Sequence, residues 1–215
     1  MNNPTAIIIG SGVAGMATAA RLASQGYRVS VYEKNSYPGG KLSVFEQDGY
    51  RFDAGPSLFT QPQNLEELFS ETGEDLKEFM QYKPVEIACQ YFYENGKVLR
   101  AFTNREEFAR ELHEVTGEEP GALQRYLDDS GRLYEDVGQI FVNHSLHKTA
   151  TWFNKRVIRA LKTVQSGHLF SSLNQLNERY FSTPEARQLF NRYATYNGSN
   201  PYKAPGMLSL IPHLE

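Results

Sequence analysis

The chain has 215 residues, 40% hydrophobic and 22% charged, with a formal net charge of −3. That is the composition of a globular protein with room for one large or two small domains, and no positive excess points to nucleic acid. The single cysteine, Cys89, excludes an internal disulfide or a multi-cysteine metal site, and fits a reducing, cytoplasmic compartment.

Residues 5–9, TAIII, predict a short buried strand. The residues before it lack Lys and Arg, and Gly10, Gly12 and Gly15 interrupt the apolar run, so this is not the pattern of a signal peptide. No apolar run of about 18 residues exists to span a membrane. The turn GSGVAG follows, then a helix in MATAARLASQG with Gly26 as its stop, then a second strand in YRVSVYE. Strand, turn, helix and strand within some thirty residues form a βαβ unit.

KLSVFEQDGYRFDAG predicts a hairpin turning at Asp48-Gly49. Asn64, with Glu67 three residues on, is expected to begin a helix. CQYFYENGKVLRAF predicts a second hairpin at Asn95-Gly96, with Glu94 opposite Lys97 and Tyr93 opposite Val98. Asn104 and Glu107 cap a helix running through Val115. From Ala122 the pattern is helical, with Leu123, Tyr126, Leu127, Leu133, Tyr134, Val137, Ile140 and Phe141 at helical spacing. Thr183-Pro184 opens a later helix, and Asn197-Gly198 is a stop. The change of pattern divides the chain into 1–80 and 81–215.

Gly10, Ser11, Gly12, Val13, Ala14 and Gly15 match G-x-G-x-x-G, and Glu33 stands at the end of the second strand, eighteen residues after Gly15. In this context the motif predicts a dinucleotide site. Gly10 permits the turn, Gly12 admits the pyrophosphate, and Gly15 lets helix and strand pack. The pyrophosphate would rest on backbone N–H groups at the helix start. Glu33 would accept the adenosine ribose hydroxyls and repel a 2′-phosphate, which disfavours NADP. Lys34 borders the site, although solvent is its simplest place. Gly39 and Gly40 suit a backbone approach to a second stretch of ligand, and Lys41 could set a positive charge near phosphate.

GSGVAGMATAARLASQGYRVSVYEKNSYPGGKLSVFEQDGYRFDAGPSLFT resembles the N-terminal FAD-binding region of flavin amine oxidase and phytoene desaturase-type oxidoreductases. PGGK is similar to their E-x5-G-G-[RK] element. Phe52 to Ser57, FDAGPS, is similar to the element lying along the cofactor, which adds Gly55, Pro56 and Ser57 to the cofactor-binding residues. DAGPS and the later TYNGSNPYKAPGMLSLIPHLE look most like carotenoid desaturases, leaning toward the 1-hydroxycarotenoid 3,4-desaturases.

The resemblance implies an α/β fold: a Rossmann-like FAD-binding domain, then a β-hairpin and mainly helical substrate domain, both first parts of longer domains. It implies FAD, and hydride removal from a carotenoid or related polyene. It offers no catalytic base. An amine oxidase or protoporphyrinogen oxidase relative stays open, as does a non-catalytic flavin-binding domain. The family continues with a C-terminal segment that closes the flavin site, so these residues alone are expected to hold FAD weakly and desaturate nothing.

His144 and His147 have no nearby partner to complete a metal site, and His113, His168 and His213 are isolated, so no metal is expected. Cys89 reads as core. Between Val137 and Asn177 there is no acidic residue, while Lys148, Lys155, Arg156, Arg159 and Lys162 are basic. Phe153, Val157, Leu161 and Val164 share a helical face, which predicts a basic amphipathic helix (residues 153–164) lying on the inner face of a membrane.

Overall fold

The computed structural model describes residues 3–56, 59–153, 155–164 and 166–214. The chain forms two compact units, Met1–Lys83 and Pro84–Glu215.

In the first unit, β1 (Thr5–Ile9) and β2 (Arg28–Tyr32) pair in parallel, from Thr5 opposite Arg28 to Ile9 opposite Tyr32. Helix α1 (Val13–Ser24) makes the crossover, and Gly26 leaves it at φ +87°. A hairpin of β3 (Val44–Gln47) and β4 (Tyr50–Asp53) follows. Asp48 and Gly49 both take positive φ, 54° and 82°. This is the left-handed pair a two-residue turn requires. Helix α2 (Pro62–Thr72) and a 3-10 turn (Leu76–Glu78) complete the unit.

Two expectations change here. Helix α2 starts at Pro62, before Asn64, with Gln61 as its N-cap. The Asn64 amide donates back to Gln61 Oε1 at 2.8 Å, and proline's fixed φ makes it the better first residue. Strand β1 is not buried: Ile7 is 70% exposed and Ile9 90%. Among the described residues β1 has β2 as its neighbour in a two-stranded sheet, whereas a parallel sheet is normally covered on both faces.

The second unit opens with the antiparallel strands β5 (Ile87–Phe92) and β6 (Val98–Phe102). The register differs from the two-residue expectation: Phe92, not Tyr93, lies opposite Val98. Tyr93 N–H donates to Lys97 O, and Gly96 alone in the loop takes positive φ. A two-residue turn would also need Asn95 left-handed; instead its carboxamide oxygen accepts the Lys97 N–H at 3.1 Å, giving a three-residue loop.

Helix α3 (Arg105–Thr116) is capped by Asn104, whose side chain accepts the N–H groups of Glu106 and Glu107. Helix α4 (Ala122–Leu133) runs through a π turn (Tyr134–Gly138) into α5 (Gln139–Asn143). The short helices α6 (Thr149–Trp152), α7 (Lys155–Thr163) and α8 (Ser166–Phe170) lead to α9 (Leu173–Tyr180) and α10 (Pro184–Asn191), and 3-10 turns end the unit.

The core sits where one face of the β5–β6 hairpin meets these helices. Leu99, Phe108, Leu112, Leu123, Tyr126, Leu173, Phe181, Leu189 and Phe190 are buried together, with Cys89 packed at the margin. A smaller cluster joins Leu133, Val137, Ile140 and Ala160. Phe141, expected on the same apolar stripe, is exposed.

The stretch 153–164, which contains α7, divides its apolar residues differently from the expected face. Val157 and Val164 pack against the smaller cluster, whereas Phe153, Ile158 and Leu161 are exposed. The cluster needs only the strip through Val157, Ala160 and Val164.

Candidate functional site

The glycine turn is held by backbone from both sides. Gly10, at φ +97°, donates its N–H to the Tyr32 carbonyl at 2.7 Å, which fixes the turn to the end of β2. A Cβ on Gly15 would stand 2.2 Å from the Gly10 carbonyl oxygen, so only glycine lets α1 leave the turn at this angle. A Cβ on Gly12 would meet nothing within 4 Å. No side chain caps α1, so backbone N–H groups of its first turn have no side-chain partner on that open side. Backbone donors beside open space suit the diphosphate of a dinucleotide.

Glu33 stands one residue beyond β2. Its Oε2 accepts the Ser11 N–H at 2.7 Å and the Ser11 hydroxyl at 3.0 Å, and its Oε1 accepts the Asn35 N–H at 2.9 Å. The N–H groups of Asn35 and Ser11, then the Ser11 hydroxyl, outweigh partial desolvation and hold the carboxyl at about 2. It is therefore a fixed anion and acceptor at neutral pH. The sequence pattern pointed to Glu33; it gave no sign that Ser11 and Asn35 would hold it.

The glycine pair packs on the glycine turn. Gly39 donates its N–H to Ser11 O at 2.8 Å, and Gly12 and Gly39 form an isolated parallel bridge. A Cβ on Gly40 would stand 3.1 Å from the Gly12 Cα. Gly55 is close to the same segment, where a Cβ would stand 2.5 Å from the Lys41 carbonyl oxygen. The structure thus brings Gly10, Ser11, Gly12, Gly15, Glu33, Gly39 and Gly40 together. Val13 and Ala14 are the first residues of α1, and Lys34, Lys41 and Pro56 are exposed. Ser57 lies outside the described residues.

The histidines are placed apart. His113 Nδ1 is 2.7 Å from the Glu118 carbonyl oxygen, His168 is buried, and His213 packs on Gly131 and the Tyr134 ring. Among the described residues no group of three or more His, Cys, Asp or Glu could hold a metal ion. No helix of the described residues is long and apolar enough to cross a membrane.

Residues 8–72 match the model of the NAD(P)-binding Rossmann-like domain. Over 210 residues the chain is 46% identical to the 1-hydroxycarotenoid 3,4-desaturase of Flavobacterium sp., covering 98% of this chain and 43% of that protein. It is 32% identical to the 4,4'-diapolycopene oxygenase of Methylomonas sp over 100% of this chain and 43% of the relative. It is 31% identical to a 4,4'-diapophytoene desaturase of Staphylococcus haemolyticus over 97% and 41%. The chain therefore spans about two fifths of the length of these relatives. In fold it is similar to putrescine oxidase bound to putrescine, with a TM-score of 0.55 at 18% identity over 99% of this chain and 41% of that one. The sequence is thus similar to carotenoid desaturases and oxygenases, and the fold to that of putrescine oxidase.

Proposed function

We propose that this chain is the cofactor-binding N-terminal part of an FAD-dependent oxidoreductase that desaturates a carotenoid. The observation that carries the cofactor reading is the Glu33 carboxylate, fixed by Ser11 and Asn35 beside the open Gly12 turn. The 46% identity to a 1-hydroxycarotenoid 3,4-desaturase supports the substrate class.

In this reading the first turn of α1 binds the pyrophosphate through backbone N–H groups, and Gly12 leaves room for it. Glu33 orients the adenosine ribose and excludes a 2′-phosphate by charge. Gly39, Gly40 and Lys41 shape the floor beside it, and Gly55, Pro56 and Ser57 line the cofactor's path. When bound, FAD supplies the acceptor for a hydride leaving the polyene. No residue is assigned here as the base for the accompanying proton, and the remainder of the flavin site is expected from the C-terminal half found in the longer relatives.

A polyene dissolves in lipid, so peripheral attachment at the cytoplasmic face of a membrane completes the reading. Phe153, Ile158, Leu161 and Phe170 are exposed apolar side chains in a stretch whose charged residues are all basic. Such a composition suits an anionic lipid surface.

The experiment is to purify the chain together with the C-terminal part that its longer relatives carry, measure flavin stoichiometry, and follow anaerobic bleaching of the flavin by a 1-hydroxycarotenoid in detergent and, separately, by putrescine. Bleaching by the carotenoid alone is expected. Reduction by the amine alone would overturn the substrate reading, and a protein that retains no FAD would overturn the cofactor reading.

A further inference from the structure

We propose that Ser11 is the positioning residue for Glu33: it occupies Oε2 with both its N–H and its hydroxyl, so that the carboxylate receives an adenosine ribose on Oε1 and reads only one of the two ribose hydroxyls. The inference rests on Glu33 being the ribose acceptor.

A carboxylate offers about two acceptor positions on each oxygen. On Oε2 both are used, by the Ser11 N–H at 2.7 Å and the Ser11 hydroxyl at 3.0 Å. On Oε1 one is used, by the Asn35 N–H at 2.9 Å. One well-aligned position remains on Oε1, and the Lys34 N–H, the weakest of the backbone donors to this carboxylate, does not take it at hydrogen-bond geometry.

Ser11 is poorly placed to release its share. The residue is 7% exposed. Its N–H is on Glu33, and its carbonyl accepts the Gly39 N–H at 2.8 Å. Backbone thus holds Ser11 on both sides, and its short side chain stays within reach of Oε2. Charge-assisted hydrogen bonds of this kind are about twice as strong as neutral ones, so a ribose hydroxyl gains little by displacing one. The second hydroxyl is left to solvent or to groups other than Glu33.

The test is calorimetric titration of the flavin-free protein with ADP, 2′-deoxy-ADP and 3′-deoxy-ADP, which probe the adenosine end alone. In the unaltered protein, loss of one hydroxyl should weaken binding about tenfold and loss of the other about twofold or less. Ser11→Ala keeps the N–H and frees one position on Oε2, so both deoxy analogues should then bind several-fold more weakly than ADP. Ser11→Thr restores a hydroxyl and should restore the unequal pattern. Carbon-13 NMR of the Glu33 carboxyl gives a readout independent of ligand: its titration midpoint should rise in Ser11→Ala and return in Ser11→Thr. Equal losses for the two analogues in the unaltered protein, or an unchanged pattern in Ser11→Ala, would overturn the inference while leaving Glu33 as ribose acceptor. ADP binding unaffected by Glu33→Ala would overturn the ribose reading and this inference together.

Discussion

The N–H of Gly39 meets the carbonyl of Ser11 at 2.8 Å, joining two glycine motifs through residues 28 positions apart in the chain. Gly39 sits at φ +108°, and a Cβ there would stand 2.5 Å from the Leu42 carbonyl oxygen. Gly39→Ala should therefore cost about 1–3 kcal/mol and loosen the floor under the cofactor. Gly49→Ala is the control. It also has positive φ, but a Cβ there meets nothing within 4 Å, and the turn is remote from Glu33 in sequence. Gly49→Ala should cost about 1 kcal/mol and keep its flavin. Thermal unfolding and flavin content of both variants test this; equal behaviour would show that the Gly39 contact does not support the site.

The sequence makes this unit legible because its glycines act through backbone geometry. Gly10, Gly15 and Gly26 fall where a turn, a close helix and a helix stop need them. The Asp48-Gly49 hairpin is equally plain, since both residues tolerate positive φ. Less legible is what depends on long-range partners. The Asn95-Gly96 loop adds a residue because Asn95 spends its side chain on the Lys97 N–H. Gly40 reads as room for a ligand, yet its nearest neighbour is Gly12. Thr183 reads as a helix cap, yet its hydroxyl donates to Glu118, 65 residues away in the chain. Hydrophobic spacing alone likewise does not tell which side of α7 the core takes.

Glu33 should make cofactor binding insensitive to pH across the neutral range. Its carboxyl is held at about 2 in the folded chain against a usual 4.5. A depressed carboxyl contributes fully above the unfolded value and is lost only as pH falls through the folded one. ADP affinity should therefore show no step from this group from about pH 5 upward. Glu33→Ala should lower affinity about tenfold or more at neutral pH. Titrations at several pH values check both, and a step near the ordinary carboxylate value would show that Ser11 and Asn35 do not hold the group in solution.

Glu118 should govern acid stability of the second unit. The residue is 1% exposed. Its carboxylate accepts the N–H and hydroxyl groups of both Ser182 and Thr183, at 2.8–3.0 Å. Burial pushes this carboxyl up, but those four donors outweigh it and hold it at about 2. The stabilisation is thus fully present above the ordinary value of 4.5 and disappears as pH falls toward about 2. Glu118→Ala leaves buried donors unpaired at the start of α10 and should cost about 3 kcal/mol at neutral pH. Urea unfolding of both proteins from acid to neutral pH is the measurement. The variant should lose the part of the acid slope that belongs to Glu118; identical slopes would refute the assignment.

The proposed lipid-facing role of the α7 region depends on which of its side chains are exposed. Arg159 is less suited to it than its charge suggests, because its Nε is 2.7 Å from Asp136 Oδ1. Val157 and Val164 are committed to the smaller core cluster. That leaves Phe153 at 91% exposure, Leu161 at 72% and Phe170 at 85% as apolar contacts, and Lys148, Lys155 and Lys162 as candidate cations. Each cation near an anionic surface contributes about 1 kcal/mol, so three give up to about 3 before screening. Lys155→Glu/Lys162→Glu removes charge without breaking the Arg159–Asp136 pair, and should reduce flotation with anionic liposomes while sparing the fold. Leu161→Ser should weaken binding to every vesicle type, because it removes exposed apolar area rather than charge. Val157→Ser should instead lower thermal stability, since that side chain packs inward. Equal flotation with neutral and anionic vesicles would remove the electrostatic part of the proposal. Flotation unchanged by both the lysine and the leucine substitutions would remove the lipid surface as the partner of this region.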